Sequence, residues 1–204
     1  PDIKCTSRIK YYWKVRCWDK DKKKMQDSQI ATWETGLGGI WKGSWITDSL
    51  DKEAKRAPLF RKIVKLTDKI KKARAYICGL GYYELYVNGE KIGDHLLDPA
   101  YTCFDKKAMY VTYDVTSHFK LGQNTLGVML GNGWYNIQSQ AVWEFHEASW
   151  RNRPSFILNI CVEYESGKNE WIVSDSSWQT GLGAIMYNNL YSGEYYDARK
   201  EQRD

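Results

Sequence analysis

The sequence predicts an all-β protein, built as an antiparallel sandwich. Three observations predict it: apolar and polar residues alternate with a period of two, helical periodicity is nearly absent, and turn signals recur at short intervals between the alternating stretches. The 204 residues suffice for a large core, and 43% apolar against 27% charged residues is not the balance of a disordered chain. No apolar run reaches the roughly 18–20 residues of a membrane-spanning helix.

Each element follows from that alternation. Residues 12–18 set Tyr12, Lys14 and Arg16 against Trp13, Val15 and Cys17, and a charged turn at 19–24 leads to a second strand at 30–35. Two strands do not make a stable unit. Residues 1–37 therefore read as the closing hairpin of a domain that starts upstream, in keeping with a chain that opens at Pro1 without a leader. From Trp41 onward strands are expected at 60–66, 72–79 and 82–87, the last running into Asn88-Gly89, the strongest hairpin signal present. Lys91 and Ile92 restart a short strand, 93–100 is a loop, and 108–114 alternates Met109, Val111 and Tyr113. Residues 125–130 are apolar on both faces, with Gly127 expected where side-chain bulk does not fit. Stretches 156–163, 169–173, 178–180 and 194–197 bring the total to about ten strands. Helical turns are expected only at 115–119 and near Ser176.

Composition narrows the function. The net charge is +5, and the first 74 residues hold 20 Lys and Arg against 9 Asp and Glu. Those lysines gather at turns (Lys20, Lys22, Lys23, Lys24, Lys69, Lys71, Lys72) without a recognition-helix pattern, so they read as solvated loops rather than a nucleic-acid surface. Five cysteines, odd in number and without C-x-x-C spacing, argue against a disulfide framework and a zinc site; Cys78 and Cys161 sit in apolar runs as small core residues. The three histidines, His95, His118 and His146, are far apart, and no G-x-S-x-G, P-loop or H-E-x-x-H motif is present. Glycoside hydrolysis requires two carboxylates about 5–10 Å apart. Glu163 and Glu165 share a strand face but border a Ser166-Gly167 turn and read as solvent-facing, and Asp94 with Asp98 or Asp197 with Glu201 are no better distinguished. No catalytic residue is assigned.

The unusual feature is aromatic and amide density in loops. Gly131-Asn132-Gly133-Trp134-Tyr135-Asn136 follows the 125–130 strand directly, and Gln138, Gln140, Trp143, Phe145, His146 and Trp150 fill a long loop before Pro154. Sugars present apolar C–H faces and a ring of hydroxyls, which flat aromatics and amides recognise together. Asn88, Asn132, Trp134, Tyr135 and Asn136 are thus candidate carbohydrate-binding residues, and a calcium ion can join such a site through oxygen ligands. The alternative is that Trp134 and Tyr135 pack beneath the loop or against a neighbouring domain.

Several blocks also carry a likeness in order and spacing. They are Trp33-Glu34-Thr35-Gly36 with Trp41 and Trp45-Ile46, the stretch from Ala73 through Cys78-Gly79-Leu80-Gly81-Tyr82-Tyr83-Glu84-Leu85-Tyr86-Val87 to Asn88-Gly89, and Gly93-Asp94 with Leu97-Asp98-Pro99. Tyr113-Asp114-Val115-Thr116, Leu130-Gly131-Asn132-Gly133-Trp134-Tyr135 and Tyr191-Ser192-Gly193-Glu194-Tyr195-Tyr196-Asp197-Ala198-Arg199 continue it. Together they resemble the N-terminal region of bacterial α-L-rhamnosidases, glycoside hydrolase family 78. The resemblance implies that residues 1–37 are the last strands of a fibronectin-III-like or immunoglobulin-like domain and that 38–204 form a galactose-binding-like jelly-roll β-sandwich. It further implies an inverting hydrolase of terminal α-L-rhamnosyl linkages whose acidic catalytic residues lie on an (α/α)₆ barrel outside this chain. Its partners would be a rhamnose-containing glycan and the remaining enzyme domains; in some relatives such a jelly roll binds rhamnose with calcium. The sequence departs from the family pattern at Cys17 and at Lys22-Lys23-Lys24, where a glycine turn is expected. The compartment stays open between exported and cytoplasmic: unpaired cysteines lean one way, the habit of such enzymes the other.

Overall fold

The structure, a computed structural model, describes residues 5–201. The chain divides into two compact units, Pro1–Trp41 and Lys42–Asp204.

In the first unit β1 (Lys10–Trp13) pairs antiparallel with β2 (Ala31–Glu34). Tyr11 and Trp33 face each other in register and stack, centroids 4.8 Å apart at 18°, the kind of cross-strand aromatic pair that stabilises a ladder. The strand is shorter than the 12–18 alternation suggests, because regular pairing ends at Trp13 and Trp18 meets Lys24 only in an isolated bridge. The turn between them sets Lys22 in the left-handed region at φ +60°, where glycine is favoured, and the Asp19 carboxylate steadies it by accepting the N–H groups of Asp21 and Lys23, an Asx turn. Nearby, Asp27 gathers Arg16, Lys14 and Lys24 at 2.9, 3.0 and 3.3 Å. The hydrogen bond from Arg16, above all, holds its carboxyl well below the usual range.

The second unit is the jelly roll. Its strands are β3 (Pro58–Leu66), β4 (Ile70–Leu80), β5 (Tyr82–Val87), β6 (Glu90–Lys91), β7 (Val111–Asp114), β8 (Gly122–Gly131), β9 (Ser155–Tyr164), β10 (Asn169–Val173), β11 (Gln179–Leu182), β12 (Ile185–Asn189) and β13 (Gly193–Tyr196). One sheet runs β11-β3-β8-β5-β6, the other β10-β9-β4-β7, and β12 and β13 form a separate hairpin; every pairing is antiparallel. Period-2 side chains from the two inner faces make one core, with Phe60, Leu85, Leu126, Val128 and Leu130 meeting Ala75, Ile77, Phe156, Leu158 and Ile160. Phe156 lies edge-on to both Phe60 and Trp178, at 5.0 and 5.3 Å.

Most expected strands are present, and the differences have physical causes. Strand β8 is apolar inward only. Leu126, Val128 and Leu130 are buried, whereas Thr125, Gly127 and Met129 point outward. A Cβ on Gly127 would lie 3.5 Å from the Tyr86 Cβ, an ordinary contact, so crowding does not demand glycine there. It is demanded at Gly81, where φ is +101° and a Cβ would fall 2.3 Å from the Gly131 carbonyl oxygen. Asn88-Gly89 does form the β5–β6 turn, both residues at positive φ. The β12 strand has no counterpart in the sequence reading, because its Asn188-Asn189 pair resembles a turn and its only partner is β13. A 3-10 turn, Thr116–His118, falls inside 115–119, while Ser176 is only a turn and a second 3-10 segment, Val142–Glu147, was not expected. Cys78 and Cys161 are each 3% exposed, and burial pushes the Cys78 thiol up to about 12, which leaves it inert as a nucleophile.

Gly81→Ala is expected to destabilise the sandwich by about 3 kcal/mol or more, and Gly127→Ala by less than about 1 kcal/mol, measured by urea unfolding. The Asp27 pairing stabilises its hairpin fully above the unfolded carboxylate pKa of about 4 and loses this as pH falls through the lower folded value. An NMR titration of the Asp27 carboxyl should therefore show a midpoint below that of an unfolded aspartate, and Asp27→Asn should remove this pH dependence.

Candidate functional site

The loop leaving β8 is held from behind by amides. Asn132 and Asn136 are 2% and 0% exposed. The Asn132 N–H donates to Asn188 Oδ1 at 2.7 Å and its Nδ2 to the Asn188 carbonyl at 3.0 Å, while Asn136 Nδ2 donates to Asn132 Oδ1 and to the Lys52 carbonyl, both at 3.0 Å. These side chains build the loop and are turned away from solvent. Tyr135 is also buried, 8% exposed, with its ring edge-to-face on Phe104 at 5.3 Å, and burial raises its hydroxyl pKa.

Asn88 is elsewhere. Its Nδ2 donates to the His118 carbonyl and to Asn124 Oδ1, and its Oδ1 accepts the Thr125 N–H. Along β5 and β8, Tyr82 pairs with Gly131 and Val87 with Leu126. Asn88 thus lies at one end of the sheet and Asn132 at the other, about 20 Å apart along the strands. The fold does not bring Asn88 to the 132–136 loop, because the hairpin carrying it turns at the opposite rim.

Trp134 is half-buried in an aromatic shelf. Its ring is edge-to-face with Phe145 and Tyr191, at 5.8 Å each, and at 6.0 Å from Tyr101. Beyond it Trp143, 5.8 Å from Phe145, is 76% exposed, with Tyr101 and Tyr191 about half exposed. Trp143 and Glu144 occupy adjacent left-handed conformations at φ +65° and +55°, a backbone state that costs about 1–3 kcal/mol per non-glycine residue and persists only where its surroundings enforce it. The Glu144 N–H bond to the Ala141 carbonyl and the Ala141 N–H bond to His146 Nδ1 pin this turn. Trp143 is the exposed ring that a motif-centred reading of the Gly131–Asn136 stretch passes over.

A buried ion pair fastens the facing segment. Arg153 and Asp48 side chains are 3% and 6% exposed. Two guanidinium nitrogens of Arg153 donate to the two Asp48 carboxylate oxygens, at 2.8 and 2.6 Å, and further N–H groups reach the Ala54 and Arg56 carbonyls. Arg151 donates to both Glu53 oxygens, and Gln138 joins Asn136 on the Lys52 carbonyl. Residues 48–56 and the β8–β9 connection are thereby locked to one another.

The carboxylates weighed as hydrolytic candidates have other partners. Glu165 is exposed and paired with Lys69, Asp98 accepts from His95 and Tyr113, and Asp197 is gripped by Arg199 at 2.8 Å. Wherever a carboxyl ionisation is displaced it is displaced downward, by Arg151 at Glu53 and by Arg199 at Asp197, whereas a glycosidase general acid must be displaced upward. Nor do the loop residues fit calcium: Gly131–Asn136 holds no carboxylate, and the described residues contain no cluster of three or more His, Cys, Asp or Glu, against the six to eight oxygens the ion takes. No helix among the described residues is long and apolar enough to cross a membrane.

Arg153→Met is expected to cost about 3–5 kcal/mol, because Asp48 is left buried and unpaired. Asp48→Asn should be similarly costly, and the double variant Arg153→Met with Asp48→Leu clearly less so than the sum, as read by denaturant unfolding.

Comparison with known proteins agrees with this architecture. The family described as "Alpha-L-rhamnosidase N-terminal domain" matches residues 68–204, and the "Rha78A-like, N-terminal immunoglobulin domain" matches residues 1–39. An α-L-rhamnosidase of Formosa agariphila is 34% identical across the whole chain. Solved α-L-rhamnosidases of Dictyoglumus thermophilum (42% identity, TM-score 0.85) and Aspergillus terreus (30%, TM-score 0.87) superpose over 98% and 97% of this chain. An α-L-rhamnosidase of Streptomyces avermitilis, complexed with L-rhamnose, matches 74% of it at 36% identity and TM-score 0.68. The chain spans only about a quarter of the first three, 24%, 23% and 24%, and 14% of the fourth. By sequence and by fold, the chain belongs to the α-L-rhamnosidase N-terminal domain family.

Proposed function

We propose that this chain is a non-catalytic β-sandwich segment of an α-L-rhamnosidase, with residues 1–37 closing an immunoglobulin-like domain and 38–204 forming the jelly roll. The parent enzyme hydrolyses terminal α-L-rhamnosyl linkages with carboxylates that lie outside this segment. The observation that carries the reading is the family match over residues 68–204, in relatives of which the chain spans about a quarter. Carboxylates held downward by cations, with no upward-shifted partner, support the non-catalytic part.

Within that reading, the aromatic shelf contacts carbohydrate. Trp143 offers an exposed face beside Phe145, and Phe145 packs with Tyr101 and with Trp134, which Tyr191 also touches. A sugar's apolar C–H face removes area from water when it lies on such a ring, at about 25 cal/mol per Å². The second reading is a spacer whose shelf packs on another domain of the parent, favoured by the exposure of Val142 next to Trp143 in sequence.

The isolated chain should give no turnover of an aryl α-L-rhamnoside above buffer; clear turnover refutes the non-catalytic assignment. Calorimetric titration with L-rhamnose should give millimolar binding that Trp143→Ala weakens about three- to tenfold and Asn88→Ala leaves unchanged. Absence of heat, with dimerisation through the shelf, decides for the spacer.

A further inference from the structure

Asn-Gly occurs twice in the chain, at Asn88-Gly89 and Asn132-Gly133. The dipeptide has a chemistry of its own. Glycine carries no Cβ, so its backbone nitrogen can close on the preceding Asn Cγ without steric hindrance. The Asn carbonyl carbon is then the electrophile and its amide nitrogen the leaving group. The two copies stand in opposite surroundings.

Asn132-Gly133 is enclosed. Both residues are buried. The Asn132 N–H and Nδ2 donate to Asn188, and its Oδ1 and carbonyl accept from Asn136. A Cβ on Gly133 would lie 3.1 Å from the Tyr82 ring, so the glycine is hemmed in as well. Bringing the Gly133 nitrogen onto Asn132 Cγ requires the loop to come apart.

Asn88-Gly89 is open. Asn88 is half-buried and Gly89 exposed, and no described atom lies within 4 Å of a Cβ built on Gly89. The turn leads into β6, which has two residues and lies at the sheet edge, where local opening costs least. The Asn88 side chain is also polarised for attack. Its Oδ1 accepts the Thr125 N–H at 3.0 Å, a donor placed on the oxygen that gains negative charge as the nitrogen adds.

We propose that Asn88 is a site of spontaneous modification, converting to aspartate and isoaspartate, and that Asn132 is protected by the fold. The Gly89 nitrogen loses its proton to solvent base and bonds to Asn88 Cγ. The Cγ–Nδ2 bond breaks, and ammonia leaves with a proton taken from water. Water then opens the cyclic imide at either carbonyl, giving aspartate or isoaspartate. The product no longer fits. In the amide, Nδ2 donates to the His118 carbonyl and to Asn124 Oδ1, at 2.8 and 2.9 Å. Asn124 cannot flip to meet a carboxylate, because its Nδ2 is committed to the Lys120 and Gly122 carbonyls. The new carboxylate faces two acceptors. With time, the rim joining the β5–β6 turn, the Thr116–His118 turn and the start of β8 is unfastened.

The test follows the full chain in mildly alkaline buffer, folded and in urea, by peptide mapping and mass spectrometry, with heavy-oxygen water marking the new carboxyl oxygen. In the folded chain Asn88 should convert at least about tenfold faster than Asn132. In urea the two should agree within about twofold, since the dipeptide is the same and the fold no longer separates them. Converted chain, isolated by its added negative charge, should exchange the Thr125 amide faster and show a folded-to-unfolded ratio lower by about tenfold or more. Asn88→Asp should reproduce that loss; if this variant does not fold, the isolated converted chain decides. Equal conversion of the two sites in the folded chain, conversion of Asn88 in urea alone, or a converted chain with unchanged exchange and stability overturns the proposal.

Discussion

The second unit depends on one guanidinium. Arg153 is almost wholly buried, and its N–H groups are divided between a carboxylate and two backbone carbonyls from residues 48–56. A buried charge on this scale is tolerated only when its partner and its remaining protons are all satisfied. The arrangement therefore acts on position more than on stability: the strandless 48–56 segment has no ladder to hold it, and Arg153 supplies the substitute. Lys52, held in that segment, in turn presents the carbonyl that fixes Asn136 and Gln138, and Asn136 fixes Asn132. The aromatic shelf thus stands on a chain of polar contacts that begins at a single ion pair.

The sandwich was legible in the sequence because its cause is local. Period-2 alternation reports which side chains face the core, and β5, β9 and β10 fall within a residue of where the pattern puts them. Asn88-Gly89 was legible for the same reason, the turn type being a property of the dipeptide. What escaped depends on partners remote in sequence. β12 is a strand only because β13 pairs with it, and Asn132 and Asn136 are recognisable as scaffold only once Asn188 and Lys52 are seen to receive them. Amides beside a tryptophan look alike whether they wait for a sugar or hold a loop. Arg153 carried no signal, since an arginine before a proline gives no hint of burial.

Ionisation bears on the proposed non-catalytic role more directly than motifs do. Hydrolysis of a glycoside needs one carboxyl that keeps its proton near neutrality and one that does not. Here the displaced carboxyl groups have cations or hydrogen-bond donors as neighbours, and all move the same way. Recognition makes no such demand. The exposed Trp143 ring stands on the connection that leaves β8 at its Asn132 end, and the amides of Asn88 and Asn124 at the other end bond to one another.

The register of the sheets also governs how the chain reaches this state. Ile70 pairs with Tyr164 and Leu80 with Ser155, and the β3–β11 ladder joins Pro58 to Leu182. The central ladders therefore close loops of many tens of residues, whose entropy must be lost before pairing repays it. Strand β9, buried on both faces from Phe156 to Val162, can find its place in the middle of a sheet only after β4 has waited for it through that whole interval. Until the last third of the chain is available neither sheet can be completed, so the sandwich assembles late and as one cooperative unit. The tight β4–β5 turn at Gly81 and the Asn88-Gly89 hairpin are the parts of it able to form early.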